Sequence, residues 1–155
     1  MYQMECLEIF HAQNNLIGSL NSEAIKGLES LSELYLQNNL IQQLPSEVGH
    51  MTKLQSLDIS NNSLKTLPKE IGLLKHLIEC KAKRNKIEYL PIELGGLNFI
   101  TSLDLSSNWL EELPHEIGIL RSLQQIDVSK NNLKNLTFHV NCQFSLTFLK
   151  ITHQF

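Results

Sequence analysis

Residues 54–74 read LQSLDISNNSLKTLPKEIGLL, and residues 100–120 repeat this pattern as ITSLDLSSNWLEELPHEIGIL. The residues between and around these two stretches follow one 23-residue spacing. Units with this spacing begin at Leu31, Leu54, Leu77, Ile100 and Leu123. A fixed period of about 20–50 residues indicates a repeat array, in which each unit buries its apolar face by stacking on its neighbours. We therefore predict a solenoid.

Each unit places the same residue types at the same offsets, counted from its first leucine or isoleucine. Apolar residues stand at positions one, four, six and eleven, and position nine is asparagine. These asparagines, with one from an earlier unit that begins at Leu7, are Asn15, Asn39, Asn62, Asn85, Asn108 and Asn131. All the prolines of the chain stand at position fifteen: Pro45, Pro68, Pro91 and Pro114. After each proline, glutamate follows two residues later and glycine four residues later.

The LxxLxL segment of each unit alternates inward and outward side chains, which is typical of a short strand with one buried face. Strands one repeat apart should stack as a parallel sheet, about 4.8 Å between neighbours. The return path from the proline is wider, and we expect a short helical or irregular turn there. Proline starts this turn by fixing φ, and we expect the glycine to permit a sharp bend near its end. The pattern predicts an α/β solenoid, a horseshoe arc with a parallel β-sheet on its concave face.

The asparagine at position nine has its own physical reason. The chain turns just after each strand, which leaves buried amides and carbonyls without strand partners. An asparagine side chain offers two donors and one acceptor group, as such a turn needs. We therefore interpret the six asparagines as a structural ladder rather than as a binding site.

The chain is predicted to be a single array over residues 1–155. Its parts are a tail of a preceding repeat at 1–6, full repeats at 7–30, 31–53, 54–76, 77–99 and 100–122, an irregular repeat at 123–145, and a partial repeat at 146–155.

Both ends of the array look open. Met1 and Met4 stand at the last apolar offsets of a preceding repeat. In the irregular repeat, Thr137 replaces proline and Gln143 replaces leucine. Since neither end carries an evident polar cap, we expect a fragment of a longer array. The alternative is that the irregular C-terminal residues form an improvised cap.

The quoted stretches resemble the leucine-rich repeat family, whose pattern is LxxLxLxxNxLxxLPxxIGxL, and the resemblance covers nearly the whole chain. They are most similar to the intracellular 23-residue type of the Ras-suppressor, Scribble, Erbin and plant Ras-group-related proteins. Those proteins are scaffolds and regulators that act through protein contacts. The resemblance implies a protein partner, such as a small GTPase regulator or a signalling complex.

Composition and charge limit the cellular compartment and the classes of partner that we expect for this chain. The formal net charge of −3 gives no general attraction to nucleic acid or to an anionic membrane. No apolar run approaches the roughly 18 residues of a membrane span, and the first residues lack the basic and apolar regions of a secretory signal. The three cysteines are too few and too scattered for a disulfide framework. We expect a cytoplasmic protein that binds no nucleic acid and does not insert into a membrane.

With the inward side chains assigned to the core, function should come from outward positions of the strands. The central outward column reads His11, Tyr35, Asp58, Lys81, Asp104, Asp127 and Lys150. Lys81, Lys83 and Arg84, named here the basic cluster, lie on one repeat between Asp58 and the two acids Asp104 and Asp127. This arrangement is either a mixed-charge groove that sets the register of a partner or a solvated face whose charges balance.

Two aromatic residues are further candidates for partner binding. Trp109, the only tryptophan, stands at position ten, where the other units do not require an apolar side chain. It is either an exposed anchor for a partner or a cover for the adjacent loop. Tyr35, on the concave face, is a second possible anchor.

Catalytic chemistry finds no support in the pattern. The histidines fall at unrelated offsets, and Cys80 takes a core position normally held by leucine, so we interpret it as a buried hydrophobe. The glutamates of the return turns recur because each turn is built alike. No phosphate loop or nucleophile motif is present. We predict no enzyme activity, no cofactor, no metal and no small-molecule substrate.

Three functional hypotheses remain open at this stage. The first is an interaction module for signalling or scaffolding that binds a partner protein on its concave face. The alternative is the recognition segment of a larger enzyme, such as a kinase, cyclase or GTPase. A third is a nonfunctional truncated product, which predicts poor solubility.

Overall fold

The computed structural model describes residues 6–135 and 147–152. These residues form one sheet of seven parallel strands, whose order in the sheet follows their order in the chain. The strands are β1 (Ile9–His11), β2 (Glu33–Tyr35), β3 (Ser56–Asp58), β4 (Glu79–Lys81), β5 (Ser102–Asp104), β6 (Gln125–Asp127) and β7 (Phe148–Lys150). The prediction of an α/β solenoid arc with a parallel sheet on its concave face is confirmed.

The pairing of the strands keeps every residue beside its equivalent in the next repeat. Leu57 of β3 pairs with Cys80 of β4, and Cys80 pairs with Leu103 of β5. Residues at one position of the repeat therefore form a continuous column across the sheet. This register determines which outward side chains meet.

Short helices carry the chain back behind the sheet, as predicted for the return path. The described residues contain an α-helix, α1 (Ser22–Lys26), and 3₁₀ helices at Ser46–His50, Lys69–Leu73, Ile92–Gly96 and His115–Ile119. Each 3₁₀ helix begins directly after a proline with extended backbone, as at Pro68 with φ −67° and ψ 148°. The proline carbonyl accepts the first helical hydrogen bond, from Ile71 N–H at 3.0 Å. Proline thus presets the backbone at a place where its missing N–H costs nothing.

The expectation that the glycine four residues after each proline permits a sharp bend is wrong. None of the glycines in the described residues has a positive φ. The reason is the close approach of neighbouring return segments. A Cβ atom at Gly72 would overlap the backbone carbonyl of Glu93, and one at Gly49 would lie 2.9 Å from Glu70 Cβ. Glycine is needed here because the next repeat packs directly on the backbone.

The interior is a continuous stack of apolar side chains. Between Leu31 and Leu133, the residues at positions one, four, six, eleven and eighteen are buried, and so are Cys80 and Ala82, which replace larger side chains at positions four and six. The ends are less covered: Leu7, Phe10 and Ile151 are only partly buried. Each coil is therefore stabilised by its neighbours.

Several predictions about the ends concern residues outside the described ranges. These are the assignment of Met1 and Met4 to a preceding repeat and the interruption of the sixth repeat at Thr137 and Gln143. In the described part, β7 pairs with β6 in the repeat register, with Leu149 beside Ile126.

The asparagine side chains join successive repeats as well as closing their own turns. Asn62 Oδ1 accepts a hydrogen bond from Ile41 N–H of the preceding repeat at 2.9 Å. Its Nδ2 donates to Leu36 O at 3.0 Å and to Ile59 O at 3.1 Å, and a third carbonyl, Ser60 O, lies 3.3 Å away. Equivalent bonds are formed by Asn39, Asn85, Asn108 and Asn131.

Asn15 differs from the other asparagines. Its Nδ2 donates to Ala12 O at 3.2 Å and to Gln13 O at 3.1 Å, both in its own repeat. The side chain is exposed, whereas Asn62 is buried. The two residues thus form a natural pair for measuring what the link between repeats contributes.

We predict that Asn62→Ala lowers the free energy of unfolding by about 1–3 kcal/mol, because it leaves the buried N–H of Ile41 without a partner and removes one of the two side-chain hydrogen bonds at Leu36 O and at Ile59 O. Asn15→Ala should cost less than about 1 kcal/mol, because the Asn15 side chain is exposed and Ala12 O keeps its hydrogen bond from Asn39 Nδ2. Urea unfolding followed by circular dichroism measures both values. Equal losses for the two variants would show that the link between repeats adds nothing.

Gly72→Ala should lower the free energy of unfolding by about 1–3 kcal/mol, because its methyl group must displace the backbone of the next return segment. Gly18→Ala is the matched control, since a Cβ atom there meets nothing within 4 Å. We expect the control to change stability by no more than about 0.5 kcal/mol in thermal and urea unfolding. A Gly72→Ala variant as stable as the control would contradict the close-packing explanation.

Candidate functional site

The concave surface is formed by the outward residues at positions three, five, seven and eight of the repeats. In the position-five column, the sheet register places Tyr35 beside Asp58, Asp58 beside Lys81, Lys81 beside Asp104, and Asp104 beside Asp127. The structure therefore brings these five predicted residues into one row.

The chain leaves each strand through a residue in the left-handed region at position eight. Positive φ values of 53–59° occur at Asn14, Asn38, Asn61, Arg84, Ser107 and Lys130. Asparagine tolerates this conformation better than most residues. The first three repeats use it, whereas the fourth carries a long cation at a conformation that does not favour arginine. The paired asparagines at 14–15, 38–39 and 61–62 were the signal for this turn in the sequence, and our sequence analysis missed it.

The members of the basic cluster differ in how their charges are used. Lys81 Nζ forms an ion pair with Glu79 Oε2 of its own strand at 3.0 Å. The hydrogen bond to Glu79 raises the pKa of Lys81. Lys83 and Arg84 form no ion pair with any residue of 6–135 or 147–152. Local charge balance thus applies to Lys81 and not to its two neighbours.

Asp104 and Asp127 are tied to the loops that follow their strands. Asp104 Oδ1 accepts hydrogen bonds from Ser106 N–H at 3.0 Å and from Ser106 Oγ at 2.6 Å. Asp127 makes the same pair of bonds with Ser129 and lies 3.4 Å from Lys150 Nζ. Burial alone would raise the pKa of Asp127, but the Ser129 bonds and Lys150 outweigh it and lower the pKa. These carboxylates are held in fixed orientations.

Tyr35 forms a flat aromatic pair at the N-terminal end of the concave surface. Its ring stacks on His11, with ring centroids 4.7 Å apart and planes 8° from parallel. The Tyr35 hydroxyl donates to Glu33 Oε2 at 2.7 Å, and this bond raises the pKa of Tyr35. The tyrosine is thus positioned by two neighbours and half-buried.

Trp109 lies apart from the other candidates. Trp109 stands at position ten, directly after the asparagine of the turn. Its backbone N–H donates to Ile87 O of the preceding repeat at 2.9 Å. The ring is 48% exposed and lines an open cleft of about 730 Å³ together with Tyr89. This cleft lies on the flank beyond the strands. The structure thus does not bring Trp109 together with the row of strand residues.

Some residues of these surfaces escaped the sequence analysis. Glu33 and Glu79 stand at position three, and strand alternation places positions three and five on the same face, so the signal was present. Tyr89 of the flank gave only a weak signal, because its position carries serine, glutamine, threonine, glutamate or asparagine in the other repeats.

The side chains that could bind a metal or act as nucleophiles are not arranged as a reactive site in the described residues. Within the described residues, no group of three or more histidine, cysteine, aspartate and glutamate side chains is placed to hold a metal ion. Cys80 is buried, and burial raises the pKa of its thiol to about 12. Cys80 therefore behaves as a core side chain at neutral pH. Among the helices of residues 6–135, none has the length and apolar character needed to cross a bilayer.

Comparison with known proteins identifies the family. A family model described as leucine rich repeat matches residues 6–64, and a second leucine rich repeat model matches residues 99–120. With the repeat sequence and the parallel solenoid, these matches place the chain in the leucine-rich repeat family.

Solved structures agree with this assignment. A leucine-rich repeat protein from Leptospira interrogans is 33% identical, with a TM-score of 0.88, over 98% of this chain and 39% of that protein. The plant peptide hormone receptor RGFR1, solved in complex with RGF2, is 30% identical, with a TM-score of 0.87, over 97% of this chain and 25% of the receptor. The chain thus spans well under half the length of either. Taken together, the repeats and these relatives support a protein-interaction module, a role more typical of the fold than catalysis.

The lowered pKa of Asp127 gives a prediction for stability against pH. Because the folded pKa lies below the unfolded value, Asp127 stabilises the fold at pH values above the unfolded pKa and loses this contribution as pH falls through the folded pKa. Ser129→Ala removes one of the hydrogen bonds that lower the pKa. The variant should be less stable than wild type at neutral pH, and the difference should shrink as acid protonates Asp127.

Ser60→Ala is the matched control, because Ser60 is equally buried at position seven but its hydroxyl has no hydrogen-bond partner. Its stability difference from wild type should stay constant over the same pH range. Urea unfolding at a series of pH values measures both variants. A Ser129→Ala difference that does not change with pH would contradict the assigned role of the Ser129 hydroxyl.

Proposed function

We propose that this chain is a non-catalytic interaction module whose concave surface binds a partner protein in intracellular signalling or scaffolding. The observation that carries the proposal is the positive charge of Lys83 and Arg84, which is unpaired in the described part of the chain. Both lie at the outer edge of the concave surface, and neither forms an ion pair in the described residues. Uncompensated cations on the strand side of an array are suited to a partner with complementary charge.

The surrounding carboxylates support a defined register for that partner. Asp58 lies beside the basic cluster on one side, and Asp104 and Asp127 lie on the other. The Asp104 and Asp127 carboxylates are oriented by Ser106 and Ser129 and do not reach across to the cations. Asp127 is already paired with Lys150, so a partner is expected to place acidic groups over the fourth repeat and a basic group over Asp104 of the fifth.

The stacked pair of Tyr35 and His11 supplies a second kind of contact. The pair is flat and prepositioned, so a partner could cover it with little loss of side-chain freedom. Tyr35 is accordingly proposed as the aromatic anchor of the concave surface. The aromatic pair at one end and the charges at the other give the surface a direction.

The wider setting rests on resemblance and on chemistry. The repeat type is similar to that of intracellular scaffolds, and the resemblance implies a small GTPase regulator or a signalling complex as the partner. Cys6 and Cys80 are free thiols, which is consistent with a reducing cytoplasm. The receptor relative was solved in complex with RGF2, which supports polypeptide binding as the general role of such an array.

A second candidate is that the same surface serves as the recognition segment of a larger enzyme. It is favoured by the greater length of the relatives, of which this chain matches 39% and 25%. Coding sequence that joins a kinase, cyclase or GTPase domain to the repeats would support this candidate.

We predict that Lys83→Gln with Arg84→Asn weakens partner binding by about tenfold without lowering the melting temperature. This variant copies the glutamine and asparagine of the first two repeats, and asparagine suits the positive φ of position eight. Charge reversal of Lys81, Lys83 and Arg84 together should weaken binding further. Affinity purification with quantitative mass spectrometry, followed by calorimetry on the identified partner, measures the effect.

Lys53→Gln with Lys69→Gln is the control, because it removes two exposed cations outside the concave surface. It should retain the same partner as wild type. If the Lys83→Gln, Arg84→Asn variant and the control bind every protein captured by wild type with equal affinity, the basic cluster is only a solvated face and the proposal fails.

A further inference from the structure

A second surface lies on the flank of the solenoid, beyond the ends of the strands. It is named here the flank cleft and is lined by Glu88, Tyr89, Trp109, Glu111, Glu112 and Lys134. These residues stand at positions ten, twelve and thirteen of three successive repeats. Backbone hydrogen bonds between those repeats position the lining residues. Trp109 N–H donates to Ile87 O at 2.9 Å, and Lys134 N–H donates to Glu111 O at 3.0 Å.

Two aromatic rings form the apolar part of the cleft. The Trp109 side chain is 48% exposed and Tyr89 is 58% exposed, although both are large rings on a well-packed solenoid. The core of these repeats is complete without them, since Ile87, Leu90 and Leu110 fill the inward positions. The two rings therefore offer accessible faces that serve no packing role in the interior.

The charged residues that line the cleft are mainly negative, and Lys86, which precedes Trp109 in the position-ten column, is not one of them. Glu111 Oε2 is paired with Lys134 Nζ at 2.6 Å. Glu88 and Glu112 form no ion pair within residues 6–135 and 147–152, and both are exposed. Lys65 precedes Glu88 in the position-twelve column, yet it neither lines the cleft nor pairs with that carboxylate. Two uncompensated carboxylates thus stand beside two open aromatic faces.

We propose that the flank cleft binds an arginine side chain of an extended segment of a partner protein. A cation is attracted to the face of an aromatic ring, and tryptophan is the strongest such partner. Arginine fits better than lysine, because its planar guanidinium stacks on a ring while its N–H groups reach a carboxylate in the same plane. Charge complementarity with Glu88 and Glu112 excludes an acidic segment as the occupant.

This inference goes beyond the proposed function, because it concerns a different surface and the opposite charge. The basic cluster lies at the strand ends of the fourth repeat and is suited to acidic groups, whereas the flank cleft takes a basic one. Variants of one surface leave the other intact, so each can fail separately.

Trp109 provides a direct probe of the cleft, because it is the only tryptophan of the chain. Its fluorescence is to be titrated with the acetylated pentapeptide amide ARARA, and with AKAKA and AEAEA as comparisons. We expect a saturable change in emission with ARARA, weaker binding of AKAKA and no saturation with AEAEA. Saturation by AEAEA at the same concentrations, or an emission that ARARA leaves unchanged, would overturn the proposal.

Glu88→Gln with Glu112→Gln tests the carboxylates while keeping the shape of both side chains. We expect this variant to bind ARARA at least about fivefold more weakly. Glu29→Gln with Glu93→Gln removes the same charge from two exposed positions outside the cleft and should bind as wild type. Equal weakening in the two double variants would mean that only the net charge attracts the peptide, which would also overturn the proposal.

Tyr89→Leu adds a test of the ring that the charge variants do not provide. It keeps an apolar side chain of comparable bulk at an exposed position and leaves the fluorescent ring in place. We expect weaker binding of ARARA with an unchanged melting temperature. Wild-type affinity in Tyr89→Leu would remove Tyr89 from the site, and wild-type affinity in both Tyr89→Leu and the cleft carboxylate variant would refute the cleft as a site.

Discussion

The asparagine side chain at position nine is the interaction on which the solenoid depends. A three-residue strand satisfies few backbone groups, and the chain must turn inward immediately after it. The buried amide of Asn62 accepts from one repeat and donates to carbonyls of two, so one side chain closes a turn and joins two coils. Without this link, the turn would bury unpaired polar groups at every repeat.

Close stacking imposes a second constraint on the opposite side of the coil. The 3₁₀ return segments pack backbone on backbone, and glycine is required where a Cβ atom would strike the next repeat, as at Gly72. The strands set one spacing between coils and the return segments set another. The curvature of the arc follows from that difference, and so does the placement of the strands on its inner face.

These requirements determine which residues stand at the inward positions. A residue that departs from the repeat pattern therefore points to function only at an outward position. Cys80 departs from leucine in the core and remains a packing residue. Arg84 departs from asparagine at a left-handed turn, where arginine is conformationally less suitable. Trp109 and Tyr89 depart on the flank, where the core gains nothing from them. Both proposed surfaces are built from such outward departures.

The sequence by itself determined the fold, because a 23-residue period with leucine, asparagine and proline at constant offsets admits one way of stacking. It also placed Asp58, Lys81, Asp104 and Asp127 in one row, since a repeat-to-repeat register follows from that period. The role of glycine was interpreted wrongly from sequence, because a close approach between repeats leaves no mark within one repeat.

Only the tertiary structure decided how the outward charges are used. The pairing of Lys81 with Glu79, and the absence of a described partner for Lys83, depend on side-chain directions that no spacing rule supplies. The separation of Trp109 from the concave surface likewise depends on how the chain bends after the asparagine turn. Side-chain geometry between neighbouring repeats is set by packing, and packing exists only once the coils are stacked.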